Sequence, residues 1–246
     1  IKLKIYNNIK KLYKKLRYSQ RINLVHRPMK IDGLEIFIRD GRAISILNKI
    51  ETQRNGIIAD YISSRKPFGL EGHFIKTENY KSTFDDLRNP IICYGKGKKV
   101  GYIERDIITT HGEWIDKWKI YTPRANNIGT ELNDDNLNTF IGAPKTVCTE
   151  SYLAVGAELD LDENACLNLA KYFKTRFVRF LHSLAKASQD ATSKTFKFVP
   201  LENFTETSSI DWDKSIEEID QQLYAKYGLT QEEIDFIEKM IKPMGD

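Results

Sequence analysis

The spacing of apolar residues along this chain changes several times, and each change marks an element. Ile1, Ile5, Ile9, Leu12 and Leu16 recur every three or four positions. That is the stripe of an amphipathic helix, with lysines on its other face. Residues 22–40 lose the period and read as extended, with GLEIFIRD as a short strand closed by a turn at Asp40-Gly41. Helical spacing returns over 42–53 through Ile46, Leu47 and Ile50, and Asp40 is placed to cap it. From about 56 to 156 the apolar runs are short, β-branched or aromatic, and broken by glycine and proline. These read as strands and loops. Within them ICYGKGKKVGYI predicts a hairpin that turns at its glycine-lysine cluster. NNIGTELNDDNLN, residues 126–138, predicts a mobile loop.

Residues 162–186 carry the strongest helical signal. Asp160 or Asp162 can cap this helix, and Leu167, Ala170, Phe173, Phe177, Phe180, Leu181 and Leu184 mark its apolar side. Helical character then stops at ASQDATSKTFKFVPL, residues 187–201. Ser188 to Lys194 reads as a polar loop. Thr195 to Leu201 reads as an extended return, anchored by Phe196 and Phe198. Two helices close the chain. One spans 213–227 and ends at Gly228; the other starts at a Thr230–Glu233 capping box and stops before Pro243. The order predicts an α+β fold: a mixed, β-rich module, a long supporting helix and a helical tail. The expected divisions are a basic helical lead or linker at 1–33, the module at 34–201, and an acidic tail packed on it at 202–246.

Composition narrows the class. The chain has 246 residues, 41% of them hydrophobic and 29% charged, which suits a soluble globular protein. It contains no apolar run long enough to span a bilayer, and its first residues lack the apolar core of a secretory signal. It begins at Ile1 rather than methionine, so it is expected to be part of a longer protein. Cys93, Cys148 and Cys166 are odd in number and form no CxxC pair, which fits a reducing cytoplasm. His26, His73, His111 and His182 lie far apart, and all seven residues read as structural rather than zinc-binding. The net charge is only +4, but it is unevenly placed. Residues 1–30 hold ten Lys or Arg and no acid, whereas residues 201–246 hold twelve acids against four lysines. The basic regions suit a polyanion, and equally a solvated helix face.

The motifs of several enzyme classes are missing. There is no GxSxG elbow, no Cys–His pair, no glycine fingerprint opening a helix, and no GxxxxGK[ST] phosphate loop. Asp85, Asp86, Glu104, Glu113 and Asp116 could serve a metal-dependent nuclease, but no spacing among them insists on it. Basic loops are the stronger signal. SSRKPFGL carries Arg65 and Lys66, YTPRA carries Arg124, and APKTVCTE carries Lys145. Such groups suit phosphates and guanine edges, while Gln189 or Asn126 can address adenine. Each alone also fits an ordinary solvated loop.

Several segments occur in an order that resembles one family: GLEIFIRDGRAISILNKI, SSRKPFGL, KIYTPRA, TVCTESYLAVG, YFKTRFVRFLHSLAKASQDATSKTFKFVPL and IDWDKSIEEIDQQLYAKYGLTQEEIDFIEKMIKPM. The set is similar to the C-terminal, target-recognising region of adenine-N6 DNA methyltransferases of bacterial restriction–modification systems. Enzymes that both cut and methylate are among them. The resemblance covers residues from about 34 to 246. In that family an Asn-Pro-Pro-aromatic motif and a glycine-containing loop serve the target adenine and S-adenosylmethionine. Neither is present here, since Asn89-Pro90 is followed by Ile91-Ile92. The resemblance therefore implies a recognition module for double-stranded DNA with no cofactor of its own. S-adenosylmethionine would belong to a methyltransferase domain upstream in the same chain. Lys174, Arg176, Lys186 and Lys194 would then meet phosphates, Arg65, Arg124 and Gln189 would read bases, and Lys66, Lys145 and Lys197 would also touch DNA. A stand-alone metal-dependent nuclease and a protein-interaction module docking through the acidic tail are the alternatives.

Overall fold

The computed structural model describes residues 41–126, 138–186 and 188–244. The lead helix, the GLEIFIRD strand, the Asp40 cap, the boundary at 33/34 and the loop across 127–137 lie outside these residues. The fold class is α+β, as expected. Residues 38–246 form one compact unit that includes the tail.

Among the described residues six strands form two three-stranded sheets. The predicted hairpin is β1 (Pro90–Gly95) and β2 (Lys99–Glu104), with Gly95 opposite Lys99. On the other side of β1, the strand β5 (Thr146–Cys148) runs parallel to it. This sheet is therefore mixed. In the second sheet β3 (Lys119–Pro123) lies between β4 (Phe140–Gly142) and β6 (Tyr152–Val155), antiparallel to both. The alternation of buried and half-buried residues along β1 follows from the two-residue period of a strand.

An apolar core joins the sheets. Ile91, Cys93, Ile103, Val147 and Cys148 come from the first, and Tyr121, Tyr152 and Ala154 from the second. Tyr94, Tyr121, Phe140 and Tyr152 form an aromatic cluster with centroids 4.9–5.7 Å apart. The Tyr121 hydroxyl donates to the Thr146 carbonyl at 2.9 Å, tying one sheet to the other. Lys119 is fully buried in β3. Its ammonium donates to the Lys117 carbonyl at 2.8 Å and more distantly to those of Ile115 and Ala143. Burial lowers its pKa to about 8.

Strand direction decides what lies at each end. β5 runs parallel to β1, so the turn after Gly95 and the connection after Cys148 share one end. Pro123 pairs with Tyr152, so the residues after β3 are at that end too. Lys145, which precedes β5, is at the other.

Helices cover the rest of the core. They are α1 (Arg42–Gln53), α2 (Glu163–Lys174), α3 (Arg176–Ala185), α4 (Ile216–Lys226) and α5 (Gln231–Met240). The single long helix expected over 162–186 is two helices. Asp162 caps the first, but the chain leaves helical geometry at Thr175, with φ −60° and ψ 150°. Polar groups hold the break on both sides. The Arg179 Nε donates to the carbonyls of Lys174 at 3.0 Å and Thr175 at 3.3 Å, closing the end of α2. Thr175 Oγ1 accepts from the Val178 N–H, and the Asp220 carboxylate accepts from Arg176 N–H at 3.0 Å and Phe177 N–H at 2.9 Å, opening α3. A cation thus meets one helix C-terminus and an anion the next N-terminus. The apolar stripe does not run straight through such a break. Phe173, Phe177, Phe180 and Leu181 are buried, but Leu167 is 45% exposed.

The tail is locked to these helices rather than appended to them. Capping boxes Ser215–Glu218 and Thr230–Glu233 start α4 and α5, and Gly228 takes the left-handed conformation after α4 with φ 61°. Glu233 also accepts from Ser45 Oγ at 2.7 Å and Lys49 Nζ at 2.6 Å, which fixes α5 to α1. The segment after α3 is a 3₁₀ turn over Ser193–Phe196 closed by a Thr192–Thr195 capping box, not a fully extended return. Phe196 and Phe198 are buried, as their anchoring role requires.

Candidate nucleic-acid interface

Glu150, in the connection between β5 and β6, organises the candidate site. One carboxylate oxygen accepts from Gly72 N–H at 3.1 Å and the other from Arg65 Nε at 2.8 Å. The Gly72 N–H and the Arg65 guanidinium hold this carboxyl below the usual carboxylate range. The Glu150 backbone serves as well: its N–H donates to the Leu70 carbonyl, and its carbonyl accepts from Arg124 Nε at 3.1 Å. One residue therefore aligns the 63–66 loop, the 70–72 segment and the chain leaving β3.

Arg124 extends the arrangement to the segment after α3. Its guanidinium pairs with Asp190 at 2.8 Å. Backbone bonds reinforce this: Ala191 N–H donates to the Arg124 carbonyl at 2.6 Å, and Asn126 N–H to the Gln189 carbonyl at 3.1 Å. Lys186 donates to the backbone and side-chain oxygens of Asn126. Lys66 pairs with Glu71 and sits in the left-handed region at φ 61°. The Lys66 ammonium lowers the Glu71 carboxyl in turn. Arg65, Lys66, Arg124, Lys186 and Gln189 thus belong to one connected group. Gln189 is exposed, and Arg65 keeps 60% of its side chain in solvent.

The remaining candidates lie elsewhere. Lys145 is exposed at the opposite end of the sheets, also left-handed at φ 64°. Arg176 faces the tail: its guanidinium pairs with Glu238 at 3.0 Å, and only 17% of the side chain is exposed. Lys174 is half-buried at the end of α2. Lys194 is exposed on the 3₁₀ turn, and Lys197 lies with its ammonium 5.0 Å above the Phe198 ring. The ten residues therefore form one cluster of five, with the others dispersed.

Two of the acids considered for a nuclease, Glu104 and Asp116, have other partners. Glu104 accepts from the N–H groups of Arg88 at 2.6 Å and Asn89 at 2.9 Å. Asp116 forms a two-point pair with Arg105 at 2.8 and 2.6 Å. Among the described residues no three His, Cys, Asp or Glu side chains gather as ligands for a cation. Nor is any helix among them long and apolar enough to cross a membrane. All three cysteines are buried free thiols. Glu150 is the organising residue that sequence reasoning missed. It stands within a quoted segment, but nothing local marks a lone glutamate as the partner of Arg65.

Comparison with models of known protein families returns no match, and neither does comparison with curated proteins.

Proposed function

We propose that this chain is the sequence-recognising part of a bacterial adenine-N6 DNA methyltransferase, or of a fused restriction–methylation enzyme, and that it docks on duplex DNA. The observation that carries the reading is the convergence of Arg65, Lys66, Arg124, Lys186 and Gln189 at one end of two packed sheets. Glu150 holds the loop of Arg65 and Lys66, and Arg124 and Asn126 hold the segment of Gln189, so these groups are positioned before binding. Gln189 has an exposed amide whose donor and acceptor match the major-groove edge of adenine. Arg65 can exchange its exposed pairing with Glu150 for a guanine edge. Lys186 and Lys194 serve phosphates. In this reading S-adenosylmethionine and methyl transfer belong to an upstream domain, which extrudes the target base in the bacterial cytoplasm.

Anisotropy titration of the chain with labelled duplexes tests the proposal. Arg124 is a poor probe, because its side chain also holds Asp190 and the Glu150 carbonyl in place. Gln189→Ala is the better one. It is expected to relax preference at an adenine by roughly 1–3 kcal/mol while leaving non-specific binding intact. Lys194→Ala is expected to weaken all duplexes alike and to flatten the salt dependence. Absence of duplex binding at low salt, with tight capture of a partner subunit through the acidic tail, would sink the reading.

A further inference from the structure

The tip of the β1–β2 hairpin carries positive charge that no acid among the described residues pairs with. Lys96, Lys98 and Lys99 are exposed, and so is Lys76 on the neighbouring segment. None of the four forms an ion pair among the described residues. At the same end, Glu71 and Glu150 are already engaged by Lys66 and Arg65. Glu78 is the exposed acid closest in sequence to Lys76, and it too forms no ion pair among the described residues. The balance at the tip is therefore positive.

Backbone geometry adds an independent observation. Gly97 and Lys98 both take left-handed conformations, with φ 71° and 58°. Tight hairpin turns require this, and glycine adopts it freely. Lysine does not, so a lysine at 98 strains the backbone where glycine would fit. Strain of this kind persists only where the surrounding structure holds it, and it clusters at functional sites. The strained peptide is held by its N–H, which donates to the Tyr152 hydroxyl at 2.7 Å. Tyr152 lies two residues after Glu150, so the tip is anchored directly to the site described above. The Lys98 ammonium lies 5.2 Å from the Phe140 ring and the Lys99 ammonium 5.5 Å from the Tyr80 ring. Above Gly97 the space is open, with no atom within 4 Å of where a Cβ would stand. The result is a narrow two-stranded ribbon with an unobstructed cationic end.

We propose that this tip, Lys96, Lys98 and Lys99 together with Lys76, is a second phosphate-contacting element that seats the chain on the backbone of a nucleic-acid duplex. A two-stranded ribbon fits the major groove, and ammonium groups on flexible stems serve phosphates as point charges. The inference rests on the DNA-binding reading but concerns residues outside the Arg65–Gln189 cluster. It assigns the tip to positioning, without base readout.

Equilibrium titration of a labelled duplex over a range of sodium chloride concentrations tests it, with folding checked by circular dichroism. The triple variant Lys96→Ala, Lys98→Ala and Lys99→Ala is expected to bind on the order of tenfold more weakly at low salt. Its plot of log affinity against log salt is expected to flatten by about 2–3 in slope, with base preference unchanged. Lys98→Gly is expected to weaken binding about threefold without lowering the thermal midpoint, since glycine suits the turn. Lys98→Arg is expected to retain binding. If the triple variant keeps wild-type affinity and slope while Gln189→Ala loses base preference, the tip proposal is overturned and the DNA reading stands. If the wild-type chain binds no duplex, both fall. Tip-dependent binding to phosphatidylserine vesicles in that case would assign the lysines to a membrane surface instead.

Discussion

Asp220 and His182 are buried in the helical layer with opposite proton preferences. Burial pushes Asp220 up to about 6, against the N–H groups of Phe177 and Arg176 that favour its charged form. Burial pushes His182 down to about 3, and nearby Lys186 adds to that, while its Nδ1 bonds the Thr195 carbonyl at 3.1 Å. The stability linked to Asp220 is full below its unfolded value near 4 and is lost as pH rises through 6. The stability linked to His182 is full above its unfolded value near 6.5 and is lost as pH falls toward 3. The two slopes oppose each other between about pH 4 and 6. Denaturant titrations over that window are expected to unmask them. Relative to wild type, Asp220→Asn should gain up to about 1.4 kcal/mol per unit as pH rises, and His182→Gln a similar amount as pH falls. Differences that do not vary with pH would contradict both assignments. Gly101 offers a steric test, because a Cβ there would lie 2.2 Å from Cζ of Tyr80. Gly101→Ala is expected to cost about 1–3 kcal/mol through overpacking, read from the denaturation midpoint.

At the level of elements, the break at Thr175 shapes the helical layer. Thr175→Ala removes a cap, and thermal or urea unfolding is expected to register a loss of about 1 kcal/mol. Elements defined by local chemistry were legible in the sequence. The glycine-lysine cluster marked the hairpin turn, Asp160 or Asp162 the start of α2, where Asp162 is the cap, and Gly228 and the Thr230–Glu233 box the junction of α4 and α5. The break was not, because apolar residues keep helical spacing across 163–185. The carboxylate that opens α3 comes from Asp220, some 44 residues further along. The same reason hid the role of Glu150, whose partner Arg65 is 85 residues away. The segments carrying Arg65, Arg124 and Lys145 were read as loops and are loops, but sequence did not separate the first two, at one end of the sheets, from Lys145 at the other.

Across the whole molecule, charge is divided by neighbourhood rather than by sequence block. The acidic tail neutralises part of the basic helical region, where Glu238 meets Arg176 and Glu233 meets Lys49. Among the described residues, the unpaired hairpin lysines flank the Arg65–Gln189 cluster at one end of the sheets, while Lys145 is exposed at the other. A duplex seated there would touch loops fixed by Glu150 and a turn fixed by Tyr152. Sequence-specific recognition of DNA is the central claim, and selection from a pool of randomised duplexes tests it most directly. The account predicts that repeated rounds of binding to the wild-type chain enrich one short motif, and that the Gln189→Ala chain loses the preference at an adenine within it. A pool that stays random under conditions where the chain binds duplex would contradict the claim, reducing the protein to a non-specific binder of phosphates.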